Sequence, residues 1–120
     1  MSLPHAASGQ LINIRPLIGK LKESVSTALF KANELEVMRL VLEAGKEIAE
    51  HRVTGEIIIH CLEGSIELGA HGRTQVIRQG EMVYLAANEP YSIMALDDSS
   101  VLMTVALRRN GDSSSAGIKS

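Results

Sequence analysis

The sequence predicts an all-β fold of the sandwich or barrel kind, and three observations carry the prediction. Short apolar or alternating runs recur about every eight to twelve residues, each closed by a turn signal. Only the stretch 14–23 has any helical character. The chain has 120 residues, 45% apolar and 22% charged, an ordinary globular composition that supports a single hydrophobic core and one domain.

Taken in order, residues 1–24 read as an N-terminal tail with a short helical or irregular segment. Pro16 suits the start of a helical turn over 14–23, while Gly19 weakens it. The β-domain is expected over 25–108. Its first clear strand is 37–42, ended by Glu43-Ala44-Gly45. The run 56–62 is the next strong one, and Gly64 ends it. Residues 65–68 alternate polar with apolar, as a half-buried strand does. A turn at 70–73 leads into 74–78, and a turn at 79–81 leads into 82–85. Runs 91–95 and 101–107 supply the last two strands. Residues 109–120, with Asn110-Gly111-Asp112-Ser113-Ser114-Ser115, have little to bury and read as a flexible C-terminal tail.

Two of these strands are apolar on both sides: Ile57-Ile58-Ile59, and 101–107. Successive side chains of a strand point to opposite faces, so one side fills the interior and the other also needs cover. In a chain with so few helices, a second copy is the expected cover, and a two-fold homodimer is the commonest closed assembly.

Composition excludes several function classes. The net charge of −2 arises from interspersed acids and bases, with no basic footprint for nucleic acid or for an anionic membrane. Phe30, Tyr84 and Tyr91 are the only aromatic residues and tryptophan is absent, so flat stacking surfaces for bases or sugars are scarce. Residues 1–10 lack a charged start followed by an apolar run, and no stretch approaches the ~18 apolar residues of a membrane span. Cys61 is the single cysteine, so no intrachain disulfide forms and a reducing cytoplasm is the expected setting. No phosphate-binding glycine loop, nucleophile elbow or carboxylate pair of glycosidase spacing occurs.

The most informative stretch is 45–64. After Gly45 come five residues and then His51-Arg52-Val53, and Gly64 closes the segment. A second stretch begins at Gly80-Glu81, passes through Leu85 and the turn Ala87-Asn88-Glu89-Pro90, and reaches Tyr91. In spacing these two segments resemble the paired motifs of the cupin family. The resemblance spans roughly 37–107, with Gly45, Gly64 and Gly80 as its most specific anchors. It implies an antiparallel jelly-roll β-barrel of the RmlC-like type. In that family three histidines and a glutamate of the two motifs hold a metal inside the barrel. Here His51 alone keeps its place, and Val53, Ile57 and Tyr91 stand at the other three positions. One imidazole beside two aliphatic side chains forfeits most of the coordination energy, so neither a metal nor any other cofactor is expected.

Strand parity places Glu47 with His51, and Ile59 and Cys61 with Ile57, as inward-pointing positions, with Glu56 and His60 outward. The pocket expected from this reading is apolar, with His51 and Tyr91 as its polar pair and Val53, Ile57, Ile59, Cys61 and Glu47 as further lining. A set of His51, Glu47, Cys61 and Tyr91 is the alternative metal site, although soft thiolate with hard phenolate is an uncommon combination. Cys61 reads as a small core residue, and Met38, Met82, Met94 and Met103 as core filling. The expected function is metal-free binding of a small molecule. The alternatives are a divergent metal-dependent enzyme of dioxygenase or isomerase type, and a non-catalytic dimeric scaffold.

Overall fold

Period-2 alternation along the strand Ile57–Glu63 organises the molecule: Ile57, Ile59 and Cys61 are 2%, 0% and 0% exposed, whereas Ile58 between them is 37% exposed. The computed structural model describes residues 5–107. Its strands are β1 (Thr27–Lys31), β2 (Leu35–Leu42), β3 (Glu47–His51), β4 (Ile57–Glu63), β5 (Ser65–Ala70), β6 (Arg73–Arg78), β7 (Met82–Leu85), β8 (Tyr91–Ala95) and β9 (Ser99–Ala106). They form two antiparallel sheets, ordered β1-β2-β9-β4-β7 and β3-β8-β5-β6. The two sheets face each other as a jelly roll, the fold the motif spacing implies.

The inward residues of both sheets make one core. Ile57, Ile59 and Cys61 of β4 meet Ile66 and Leu68 of β5, Ile93 of β8, and Val101 and Met103 of β9 in a single cluster. Burying such side chains contributes ~1.5–3 kcal/mol each relative to exposure, which is what holds the sheets together. Gly64 links β4 to β5 at φ +83°, with the Asp98 backbone and Ser99 packed against it. That backbone conformation suits glycine, and no room is left for a Cβ.

Two strands were not evident from the sequence, β1 and β3. Both are sheet edges, and both carry a register shift, between Ala28 and Phe30 in β1 and between Ile48 and His51 in β3. In β3, Ile48 is the only large apolar side chain of Glu47–His51, so no alternating pattern announces it.

Of the short helical or irregular segment expected within 14–23, most is irregular. Only a 3₁₀ turn, Leu21–Glu23, is helical. Gly19 sits at φ +75°, outside helical space, and the backbone before it is committed elsewhere. Leu17 donates its N–H to Glu63 Oε1 at 2.7 Å, and the Arg15 carbonyl accepts from Arg39 Nη2 at 2.9 Å. These bonds lay the N-terminal segment across part of the outer face of the five-stranded sheet, where Arg39 is only 7% exposed. Elsewhere on that face His60, Leu102 and Thr104 are half-buried, while Met82, Tyr84 and Leu35 are 63%, 60% and 44% exposed. The tail expected at 109–120 lies outside the described residues.

Candidate functional site

A β-bulge decides which side chains of β3 reach the interior. Ile48 pairs with Ile93 and His51 with Tyr91, so three steps along β3 answer two along β8. The extra residue breaks strict alternation. Ile48 faces the core, and His51 comes to the cavity beside Tyr91. Glu47, paired with Met94, falls on the outer side and is exposed. The inward position expected for Glu47 from its parity with His51 is therefore corrected: the parity rule holds only along an unbroken ladder, and the bulge interrupts this one.

His51 and Tyr91 stand edge to face, with ring centroids 5.9 Å apart and an interplanar angle of 85°. Such pairs of aromatic rings prefer this T-shaped arrangement. They border a cavity of about 430 Å³ at the β2–β3 side of the barrel, together with Val53, Met38, Met103 and Val105. The volume lies within the usual range for small-molecule sites, and the walls are mostly apolar. Val53 is held by its carbonyl, which accepts the Asn88 N–H at 2.9 Å. That bond ties the loop after β3 to the turn before β8, where Asn88 adopts a left-handed φ of 64°, a conformation asparagine tolerates better than most residues.

Ile57, Ile59 and Cys61 do not line this cavity. Their strand, β4, lies in the interior of its sheet between β9 and β7, and its inner face is sealed by the close-packed core. The cavity opens instead over β2 and β9, where the edge strand β3 covers the barrel less completely. Cys61 pairs with Val101, two residues from Ser99 and away from the Val105 end that borders the cavity. Its Sγ lies 3.5 Å from the carbonyls of Glu63 and Gly64. Burial first, then the nearby Glu81 and Glu63 charges, push the thiol pKa up against one lowering contact from the Glu63 backbone, so it behaves as an inert core group.

Sequence reasoning missed the β2 and β9 contributions. Met38 and Met103 are directly paired across β2 and β9 and both form cavity wall, and Glu36 joins them from the same face of β2. The available signal was the alternation of Glu36, Met38 and Leu40 along β2.

Burial raises the Tyr91 phenol pKa, so the group is a neutral hydroxyl at ordinary pH. Tyr84 bonds Glu56 Oε2 at 2.9 Å, whereas the Tyr91 hydroxyl makes no hydrogen bond among the described residues. The donor set does not suit a metal. Of the four motif positions, Val53 and Ile57 offer no donor and Tyr91 resists ionisation. Among the described residues no group of three or more His, Cys, Asp or Glu side chains converges. On the far side of Tyr91 lies a second, open and polar depression that includes Glu50, Arg73, His71 and Glu89. There His71 Nδ1 is 3.5 Å from Glu89 Oε2. No helix among the described residues is long and apolar enough to cross a membrane.

No family model and no curated protein matches the sequence. Among solved structures, the chain is similar to a cupin superfamily protein from Desulfitobacterium hafniense, with a TM-score of 0.70 and 14% identity over 82% of this chain and 95% of that one. It is similar to an RmlC-like cupin protein from Desulfovibrio desulfuricans, with a TM-score of 0.64 and 23% identity over 85% of this chain and 97% of that one. A mutant salicylate 1,2-dioxygenase from Pseudoaminobacter salicylatoxidans matches with a TM-score of 0.60 and 20% identity over 67% of this chain and 26% of the enzyme. At these identities the likeness is one of architecture, and cupin architecture hosts unrelated activities. Strand order, the facing sheets and these neighbours agree: the chain folds as a small RmlC-like cupin domain.

Proposed function

We propose that this protein binds a small organic molecule in the barrel cavity without a metal, with His51 and Tyr91 orienting it. The observation that supports this reading is the pairing of a mostly apolar cavity of about 430 Å³ with two adjacent polar rings at its edge. Apolar walls supply affinity, and a few convergent polar groups supply orientation. The neutral Tyr91 hydroxyl donates or accepts one hydrogen bond, and the His51 imidazole offers a donor and an acceptor. The methionines at the wall let it adapt to the shape of its occupant, because thioether side chains are unbranched and flexible.

The probe is 1-hexanol, followed through the methyl NMR signals of the methionines. Saturable shifts are expected at Met38 and Met103, which border the cavity, with Met82 and Met94 unmoved. Tyr91→Phe together with His51→Ala is expected to weaken binding about tenfold, the loss of one or two hydrogen bonds at ~1 kcal/mol each. Absence of any shift at Met38 and Met103 would overturn the binding reading. Elemental analysis that finds about one metal ion per chain after dialysis, lost in His51→Ala, would overturn its metal-free part.

The partly exposed outer face supports a homodimer. Ile58, Met82 and Tyr84 are exposed side by side on β4 and β7, next to Leu102 and Thr104 of β9. Exposed large apolar side chains grouped in this way, around His60 and Thr104, suit an association site. Light scattering at micromolar concentration is expected to give the dimer mass for the wild type and the monomer mass for Ile58→Asp. A monomeric wild type would refute the assembly. The cytoplasm is the proposed compartment, consistent with one buried, unpaired thiol.

A further inference from the structure

Charge within the cavity narrows the kind of molecule that fits it. Among the described residues, Glu36 is the only Asp, Glu, Lys or Arg side chain that borders the cavity. It is partly buried. No cation lies within ion-pair distance of it among the described residues, where His71–Glu89 is the sole such contact. Lys31 is opposite Glu36 across β1 and β2, but it is exposed and does not border the cavity. Arg39, the one cation on β2, has the opposite parity to Glu36 and is engaged by the Arg15 carbonyl. Among the described residues, the site thus offers a carboxylate with no ion-pair partner, a phenol hydroxyl with no hydrogen bond and an imidazole around an apolar body.

We infer that the cavity selects a small amphipathic amine in its ammonium form, with the alkyl or aryl portion against Met38, Met103 and Val105 and the cationic head paired with Glu36. This rests on the cavity being a ligand site at all. An anionic ligand would enter a space that holds a like charge and, among the described residues, no Lys or Arg in its lining to meet it, which is unfavourable where water is partly excluded. A cationic ligand gains a charge-assisted hydrogen bond to the carboxylate. Carboxylate and phosphate compounds are the classes the site rejects.

Three probes of one chain length separate the possibilities: hexylamine, 1-hexanol and hexanoate, titrated at pH 7 into the full chain and read at the Met38 and Met103 methyls. Hexylamine is expected to bind about tenfold or more tighter than hexanoate, with hexanol between them. Glu36→Gln is expected to bring hexylamine to within about twofold of hexanol, since the charge that distinguishes the two has been removed. Hexanoate that binds as tightly as hexylamine in the wild type would overturn the inference, whatever the behaviour of the variant. An amine preference that survives Glu36→Gln would also overturn it. Failure of all three probes would instead reject the cavity as a ligand site, whereas hexanol binding without an amine preference leaves that site standing and rejects only its selectivity.

Discussion

Gly64→Ala is expected to lower the melting temperature by roughly 12–24 °C, the shift that ~3 kcal/mol produces in a domain of this size. Two independent costs add. The backbone there is at φ +83°, which costs a residue with a Cβ ~1 kcal/mol or more. The new methyl would also meet the carbonyl oxygen of Asp98 and the hydroxyl of Ser99, with Ser99 Cα at 2.9 Å. These are largely backbone atoms that cannot rotate away, so the β4–β5 turn and the start of β9 must separate, at ~1–3 kcal/mol. Gly80→Ala is the control. Its φ is +87°, yet nothing lies within 4 Å of the added atom, so it should cost only the conformational ~1 kcal/mol. Thermal denaturation monitored by circular dichroism distinguishes the two. Equal losses would show that the packing around Gly64 contributes nothing.

Ile59→Ala is expected to destabilise the fold by ~2–5 kcal/mol, the usual loss for a large aliphatic side chain removed from a core with little room to collapse. Ile59 is fully buried, at 0% exposure, among core side chains of both sheets. Its neighbour Ile58 is 37% exposed on the opposite face, and Ile58→Ala in the monomer should cost less than ~1 kcal/mol. Urea denaturation of the two variants, at a protein concentration low enough to keep both monomeric, tests the register of β4 directly. A reversed order of costs would mean that the strand is shifted by one residue, which exchanges every inward and outward side chain.

The central strands were readable in advance because their signal is local. The runs in β4, β8 and β9 are apolar at every second position or more, their ends carry glycine or polar turns, and the motif spacing around Gly45, Gly64 and Gly80 implied the jelly roll. Two of the four edge strands were obscure for the opposite reason. β1 and β3 each have one sheet neighbour and a bulge, so neither needs a regular apolar face. The helical turn read over 14–23 is confined to Leu21–Glu23, because long-range bonds from Arg15 and Leu17 to Arg39 and Glu63 outweigh the weak preference of a short segment that contains Gly19.

The site divides along the same line. The residue types at His51, Val53, Ile57 and Tyr91 are written in the chain, and with them the poverty of metal donors at those positions. Which side chains share a cavity depends on where each strand sits within its sheet. β4 is interior and its inward residues pack solid, so Ile57, Ile59 and Cys61 became core. β2 and β9 face the edge strand β3 across the cavity, so Glu36, Met38 and Met103 became wall. Glu47 turned outward because one extra residue in β3 broke an alternation that sequence counting assumes to be continuous. Local pattern follows from near-neighbour chemistry, whereas a cavity is a property of pairings between residues some fifty positions apart, and folding alone brings those together.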